Sequence, residues 1–263
     1  MINVTLKGGV VKEFENGTTA MEICKSLGMG LYKAACVCKI NGEVKDLRTA
    51  IESDCELEIL TFDDPDGKWA LRHTASHILA QAVKRLYPEA KLAIGPAVED
   101  GFYYDFDVEN NFTPDDLLKI EAEMKKICKE RIRLERSELP RAEAIAWAEA
   151  NNEPYKKELI EDLPADATIS FYTQGEFTDL CAGPHLDHTG RLRHNGFKLT
   201  KSCGAYWRGD SNRKMLQRIY GIGFPSKDEL DAYLEAQAEA LKRDHNKLGR
   251  ELEFFTTVEE IGQ

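Results

Sequence analysis

Five turn-forming residues in a row, Asp63-Asp-Pro-Asp-Gly67, constrain this chain most, because they read as a linker that ends whatever element precedes them. Before them, residues 2–6 alternate in polarity, Gly8-Gly9 supplies a two-residue hairpin turn, and residues 10–14 return. Gly17-Thr18-Thr19 is placed to cap a helix over residues 20–27. Strands follow over residues 35–40 and after the Asn41-Gly42 turn, and residues 55–62 alternate and close the unit. The order ββα then ββ predicts a ubiquitin-like β-grasp domain over residues 1–62.

Beyond the turn, the pattern predicts a larger α+β domain over residues 63–225. Its first helix stops before Pro88 and carries Arg72-His-Thr-Ala-Ser-His77. His73 and His77 are four residues apart, so both imidazoles leave one face. At about 100° per residue, Leu71, Ala75, Ile78, Leu79, Ala82 and Leu86 cluster in one direction and the histidines point roughly opposite. That placement argues against two satisfied core histidines; the competing reading is a solvated helix face. Further helices are expected over residues 113–129, 141–151 and 155–163, with strands in 91–106, where residues 102–106 read as a hairpin arm, in 131–139, 169–172 and 177–180, and in a basic strand-rich stretch with Ala205-Tyr-Trp-Arg-Gly-Asp210 that runs to about residue 224. Ser226-Lys-Asp-Glu229 is a capping box that opens a linker helix over residues 226–249. Residues 250–263, with Leu252, Phe254 and Phe255, read as the start of a further apolar element, as if the chain were a fragment.

A second histidine motif, Asp179-Leu-Cys-Ala-Gly-Pro-His185, contains Gly183-Pro184, which breaks any helix and puts Cys181 and His185 on a loop. Three imidazoles and a thiolate make an acceptable tetrahedral zinc set of His73, His77, Cys181 and His185. No glutamate follows His73 as a zincin helix would require, and the donors alone leave zinc and a metal-free site even. Lys156, Tyr103 and Tyr104 are weaker candidates. A lysine close to these histidines would have its pKa lowered by neighbouring charge and desolvation, and would orient or activate water.

The net charge of −11 argues against a general nucleic-acid binder. One segment departs from it: between Leu186 and Tyr220, eight basic residues (Arg191, Arg193, Lys198, Lys201, Arg208, Arg213, Lys214 and Arg218) stand against Asp187 and Asp210, with aromatics interleaved. Such an island is a candidate phosphate-contacting surface, or a patch that balances acidic neighbours. The seven cysteines are scattered and odd in number, which suits free thiols in a reducing compartment. No apolar run approaches the ~18 residues of a membrane span, and the N-terminus has no secretory pattern, so a cytoplasmic location is expected.

Taken in order, Arg72-His-Thr-Ala-Ser-His77, Ile94-Gly-Pro96 with Gly101-Phe-Tyr-Tyr-Asp105, Asp179-Leu-Cys-Ala-Gly-Pro-His185, and Gly204-Ala-Tyr-Trp-Arg-Gly-Asp-Ser-Asn212 with Met215-Leu-Gln-Arg-Ile-Tyr-Gly221 closely resemble the N-terminal half of bacterial threonyl-tRNA synthetases. The resemblance covers essentially the whole chain. It implies a TGS domain at 1–62, an editing domain at 63–225 shared in outline with alanyl-tRNA synthetases, a linker helix at 226–249 and the first residues of a class II catalytic domain at 250–263. The ATP, magnesium and threonine-binding zinc sites of the family, and its anticodon-binding domain, would then lie beyond Gln263.

The implied activity is hydrolysis of the ester in seryl-tRNA(Thr). Serine differs from threonine by one methyl group, which a pocket discriminates by only roughly 1–3 kcal/mol, so a second sieve is needed. Carried over by the resemblance, His73 and Lys156 would position the terminal ribose or the hydrolytic water, and His77, Cys181 and His185 would complete the catalytic site. Asp179 would hold the substrate ammonium, a tyrosine of the Tyr103-Tyr104 pair would police size, and the basic island would meet the acceptor end of tRNA(Thr). Threonyl members imply no metal here, whereas alanyl relatives keep zinc at the corresponding tetrad, so no cofactor is expected and zinc is the lesser reading. The family dimerises mainly through its catalytic core, which implies a monomeric fragment of a homodimeric parent, with no membrane partner. The rival readings are a non-catalytic tRNA-binding spacer and a zinc-dependent hydrolase of the alanyl type.

Overall fold

In the computed structural model, which describes residues 1–242, the N-terminal domain is built from β1 (Ile2–Leu6), β2 (Val11–Phe14), β3 (Thr18–Thr19), α1 (Ala20–Leu27), α2 (Met29–Ala34), β4 (Val37–Ile40), β5 (Glu43–Asp46), β6 (Ala50–Ile51) and β7 (Cys55–Leu60). The sheet runs β2-β1-β7-β4-β5 with β1 and β7 parallel at its centre, the β-grasp arrangement. Thr19 and Glu22 form a reciprocal capping box that starts α1, and Ile23 and Cys24 turn from it into a core with Val4 and Leu57. The six-residue α2 escapes sequence reading because it has no side-chain cap and is too short to show a period.

The second domain follows as α3 (Pro65–Leu86), β8 (Lys91–Leu92), β9 (Gly101–Asp107), α4 (Pro114–Glu130), β10 (Glu135–Glu138), α5 (Arg141–Ala150), α6 (Pro154–Asp162), β11 (Ser170–Gln174), β12 (Phe177–Leu180), β13 (Phe197–Tyr206) and β14 (Met215–Gly223), and α7 (Lys227–Lys242) leaves it. Two antiparallel sheets result, β13-β14-β9-β8 and β10-β11-β12. Residues 102–106 form the hairpin arm that the sequence leads one to expect, antiparallel to β8 and bridged through Ala97 and Phe102, and they also pair over long range with β14, which makes β9 a central strand. Ser226 caps α7; residues 243–249 of the expected linker helix lie outside the described residues, as does the apolar element expected over 250–263.

The helix α3 is the axis of this domain. Its residues are buried without a break from Ala70 to Val83, so the histidine face is not a solvated one. The apolar side packs against β9, β14 and α4. The histidine side is covered by the β10-β11-β12 sheet and the loop that follows β12: Gln174 donates to the His77 carbonyl (3.2 Å), and the Phe177 ring meets the His77 ring edge-on. A polar face on a helix here means polar company, not water.

The expected linker is likewise packed. Pro65 occupies the first turn of α3, where its missing N–H costs nothing. The Asp64 carboxylate accepts the Thr61 N–H (2.8 Å), and Lys39 pairs with Asp66 (2.7 Å). A Cβ on Gly67 would sit 2.0 Å from the Thr61 carbonyl oxygen, so only glycine lets the helix approach β7 this closely. Among the described residues no helix is long and apolar enough to cross a membrane.

Candidate functional site

One turn of α3 and one loop bring four donors together. The Nε2 atoms of His73 and His185 lie 3.3 and 3.2 Å from the Cys181 Sγ, and the four donor atoms of His73, His77, Cys181 and His185 all fall within 4.8 Å of one another. The loop reaches this position by reversing at Gly183, whose φ of +77° favours glycine and where a Cβ would strike the Tyr172 hydroxyl at 2.1 Å. The His73 Nδ1 faces the Pro184 carbonyl (3.2 Å), which only accepts, so that nitrogen carries the proton and the bare Nε2 faces Cys181. The rings of His73 and His185 stack at 4.1 Å, and the exposed Trp69 lies 4.6 Å from His73 at the rim.

Burial keeps this cluster neutral. It pushes His73 down to about 4, His77 to about 3 and His185 well below its ordinary value, and it pushes the Cys181 thiol up to about 12. At neutral pH the cluster offers a thiol and unprotonated imidazoles, bases rather than an ion pair. The spacing also suits a tetrahedral zinc ion, whose bonds to nitrogen and sulfur are about 2.0–2.3 Å. The buried Nδ1 of His77 has no hydrogen-bond partner among the described residues, so the donor set fits such an ion.

Next to the tetrad is a charged triad. Lys156 from α6 approaches Asp179 of β12 at 2.6 Å, and the Tyr104 hydroxyl of β9 donates to the other Asp179 oxygen (2.6 Å) while accepting from Lys156 (3.0 Å). All three are at most 3% exposed. Burial, the largest single influence, would raise the Asp179 pKa, but the Lys156 charge, the neighbouring His77 and the hydrogen bonds from Lys156 and Tyr104 together outweigh it and hold the carboxylate below its ordinary range. Burial pushes the Tyr104 phenol far up, which leaves it a donor. The His77 Nε2 is 3.8 Å from Asp179 and joins the two groups. Gly95, inside the Ile94-Gly-Pro96 motif, makes room for Tyr104: a Cβ there would lie 2.0 Å from its ring.

Two family descriptions match the chain: "TGS domain" over residues 2–61 and "Threonyl and Alanyl tRNA synthetase second additional domain" over residues 169–220. This chain carries both domains. The match to the second additional domain includes Asp179, Cys181 and His185. Threonine–tRNA ligases of Clostridium acetobutylicum, Acetivibrio thermocellus and Clostridium botulinum are each 60% identical to the chain over 260 residues, 99% of its length. The chain spans about two fifths of those relatives (40%, 41% and 41%) and is homologous to their N-terminal region.

Within the larger second domain of the fold, the structure separates the two tyrosines. Adjacent strand residues face opposite ways, so Tyr104 enters the site while Tyr103 turns away, its ring 3.9 Å from the Arg218 guanidinium. Tyr103 therefore makes no contact with the triad, and the residue-pair expectation narrows to Tyr104. The basic island also shrinks. Arg191 pairs with Asp187, Arg208 and Arg213 with Glu158, Lys214 with Asp107, and Arg218 grips Asp105 with two nitrogens (2.7 and 2.8 Å). Among the described residues only Arg193, Lys198 and Lys201 of the eight have no carboxylate partner, and all three are exposed. Sequence reasoning missed Thr74, whose hydroxyl lies 3.1 Å from the His185 Nδ1 and accepts the Leu186 N–H (3.0 Å), and Ser76, which donates to the Gly95 carbonyl (2.6 Å). Both lie inside the histidine motif. Asp46 and Tyr172 were missed as well, with no local signal to find them.

Proposed function

We propose that this site hydrolyses the aminoacyl ester of seryl-tRNA(Thr), as the editing part of a threonine–tRNA ligase. One observation carries the reading: a buried Lys156–Asp179 ion pair sits beside a cluster of neutral imidazoles. Ester hydrolysis needs a base for water, a positive group for the carbonyl oxygen as it gains charge, and an anion for the α-ammonium of the amino acid. The bare Nε2 of His73 serves as the base, Lys156 holds the water or the developing oxyanion, and Asp179 takes the ammonium. Tyr104, fixed between Gly95 and Asp179, walls the pocket against a larger side chain. His77, Cys181 and His185 orient these groups. Arg193, Lys198 and Lys201 are the members of the basic island left to meet phosphates of the tRNA acceptor end.

We read the site as working without a metal. His73, His77, Cys181 and His185 would hold zinc if it bound, and the ion would supply a Lewis acid and an ionised water there. Against this, zinc with a thiolate adds a net positive charge to a buried cluster whose one cation, Lys156, is already matched by Asp179. The parent protein would ligate threonine to tRNA(Thr) with ATP in the cytoplasm, as a homodimer, with this part monomeric alone.

The test is release of serine from seryl-tRNA(Thr) by the purified chain, with metal content measured. His73→Ala and Lys156→Ala should abolish release in protein shown by circular dichroism to be folded. Unchanged hydrolysis in both variants would sink the reading; salt-dependent tRNA binding with no hydrolysis would replace it with a spacer role, and activity tracking zinc content with the alanyl type.

A further inference from the structure

The N-terminal domain reaches into the site of the second. Strand β5 is an edge strand of the β-grasp sheet, and Asp46 ends it. One Asp46 carboxylate oxygen accepts the backbone N–H of His185 (2.6 Å), and the other accepts the Tyr172 hydroxyl (2.6 Å). Tyr172 in turn packs its ring edge against the His185 imidazole, with centroids 4.5 Å apart, and its hydroxyl fills the space that a side chain at position 183 would take. The loop that carries Cys181 and His185 is thus clamped between α3 below, through Thr74 and His73, and Asp46 above.

We infer that Asp46 is a positioning residue for the hydrolytic site: through the His185 amide and Tyr172 it fixes the Cys181–His185 loop, so the TGS domain is a working part of the editing centre. This rests on the function proposed above. Asp46 touches no reacting atom, and it acts only through the loop. Charge-assisted hydrogen bonds to a carboxylate are the short, strong kind, and two of them at 2.6 Å set the loop's height over α3. A loop free to shift by about 1 Å would misplace the His185 imidazole and the Cys181 thiol and lower turnover rather than binding.

The experiment compares wild type, Asp46→Ala, Asp46→Asn and Tyr172→Phe, measuring kcat and KM for serine release, the thermal midpoint, and the nitrogen-15 ring signals of His185. Asp46→Ala should lower kcat by about ten-fold or more, leave KM within about two-fold, and move the His185 ring signals. Asparagine keeps an acceptor for the His185 N–H and offers a donor to Tyr172, so Asp46→Asn should restore most of kcat. Tyr172→Phe, which keeps the ring and loses one bond, should cost about five-fold in kcat; it is the variant to read if Asp46→Ala does not fold. A kcat at the wild-type level in Asp46→Ala, or a loss that Asp46→Asn does not repair, overturns the inference. If wild type itself releases no serine, the proposed function fails, while unmoved His185 ring signals in Asp46→Ala overturn the positioning role independently.

Discussion

Lys156 Nζ lies 2.6 Å from the Asp179 carboxylate with both side chains at most 3% exposed. Removing one partner of such a pair leaves a buried charge uncompensated, which costs about 3–5 kcal/mol, whereas replacing both by neutral groups of similar size is often tolerated. Lys156→Ala should therefore lower the urea midpoint as well as activity. The double variant Lys156→Met with Asp179→Asn should recover stability and stay inactive. Equal stability of Lys156→Ala and wild type in urea would show that the pair is not desolvated.

Acid should weaken the fold through the histidines. Burial holds the folded pKa of His73 at about 4 and of His77 at about 3, against about 6.5 in the unfolded chain. Between those limits the unfolded state binds more protons, so stability rises with pH and is lost as pH falls from 6.5 towards 4, by up to about 1.4 kcal/mol per pH unit for each group. Urea titrations from pH 4.5 to 7.5 in chelator should show this slope, and His77→Gln should flatten it. A slope that His77→Gln leaves unchanged counts against a neutral, buried His77.

Gly95 and Gly30 make a matched pair. A methyl at Gly95 would sit 2.0 Å from the Tyr104 ring, while one at Gly30, in α2, meets nothing within 4 Å. Gly95→Ala should destabilise by about 1–3 kcal/mol through overpacking and should reduce serine release by displacing Tyr104. Gly30→Ala should be neutral or stabilising by up to about 1 kcal/mol. Melting curves and the deacylation assay on both decide it.

Ion pairing predicts which basic residues meet tRNA. Lys198→Ala and Lys201→Ala should each weaken binding and reduce the logarithmic salt slope by about one. Arg213→Ala, whose guanidinium is already spent on Glu158 with contacts of 2.7 and 2.9 Å, should barely move it. A larger effect at Arg213 than at Lys198 in salt-dependent binding curves would reverse the assignment.

What could be read from the sequence was what neighbours in the chain decide. Thr19 with Glu22 and Thr113 with Asp116 announce their helices because a cap acts within three residues. The burial of the histidine face of α3 was not legible, because amphipathic reasoning assumes that a polar face meets water; here Gln174, Asp179, Cys181 and the Pro184 carbonyl supply the polar partners. Counting charge along residues 186–220 overlooked Glu158, Asp105 and Asp107, which arrive from other elements to neutralise four of the eight cations. Choosing between Tyr103 and Tyr104 needed the facing of β9, which depends on its partner strands. Asp46 lies 139 residues from His185, and nothing local in β5 points to it.

The closeness of Gly67 to Thr61 bears on how this molecule can be taken apart or recombined. Asp63-Asp-Pro-Asp-Gly67 has the composition of an ideal splice point, yet three of its five residues are the first turn of α3, held against the sheet by a contact that no side chain but hydrogen permits. A chimera joined there between relatives would have to inherit both halves of that contact from one parent. The seam in the composition is not a seam in the machine.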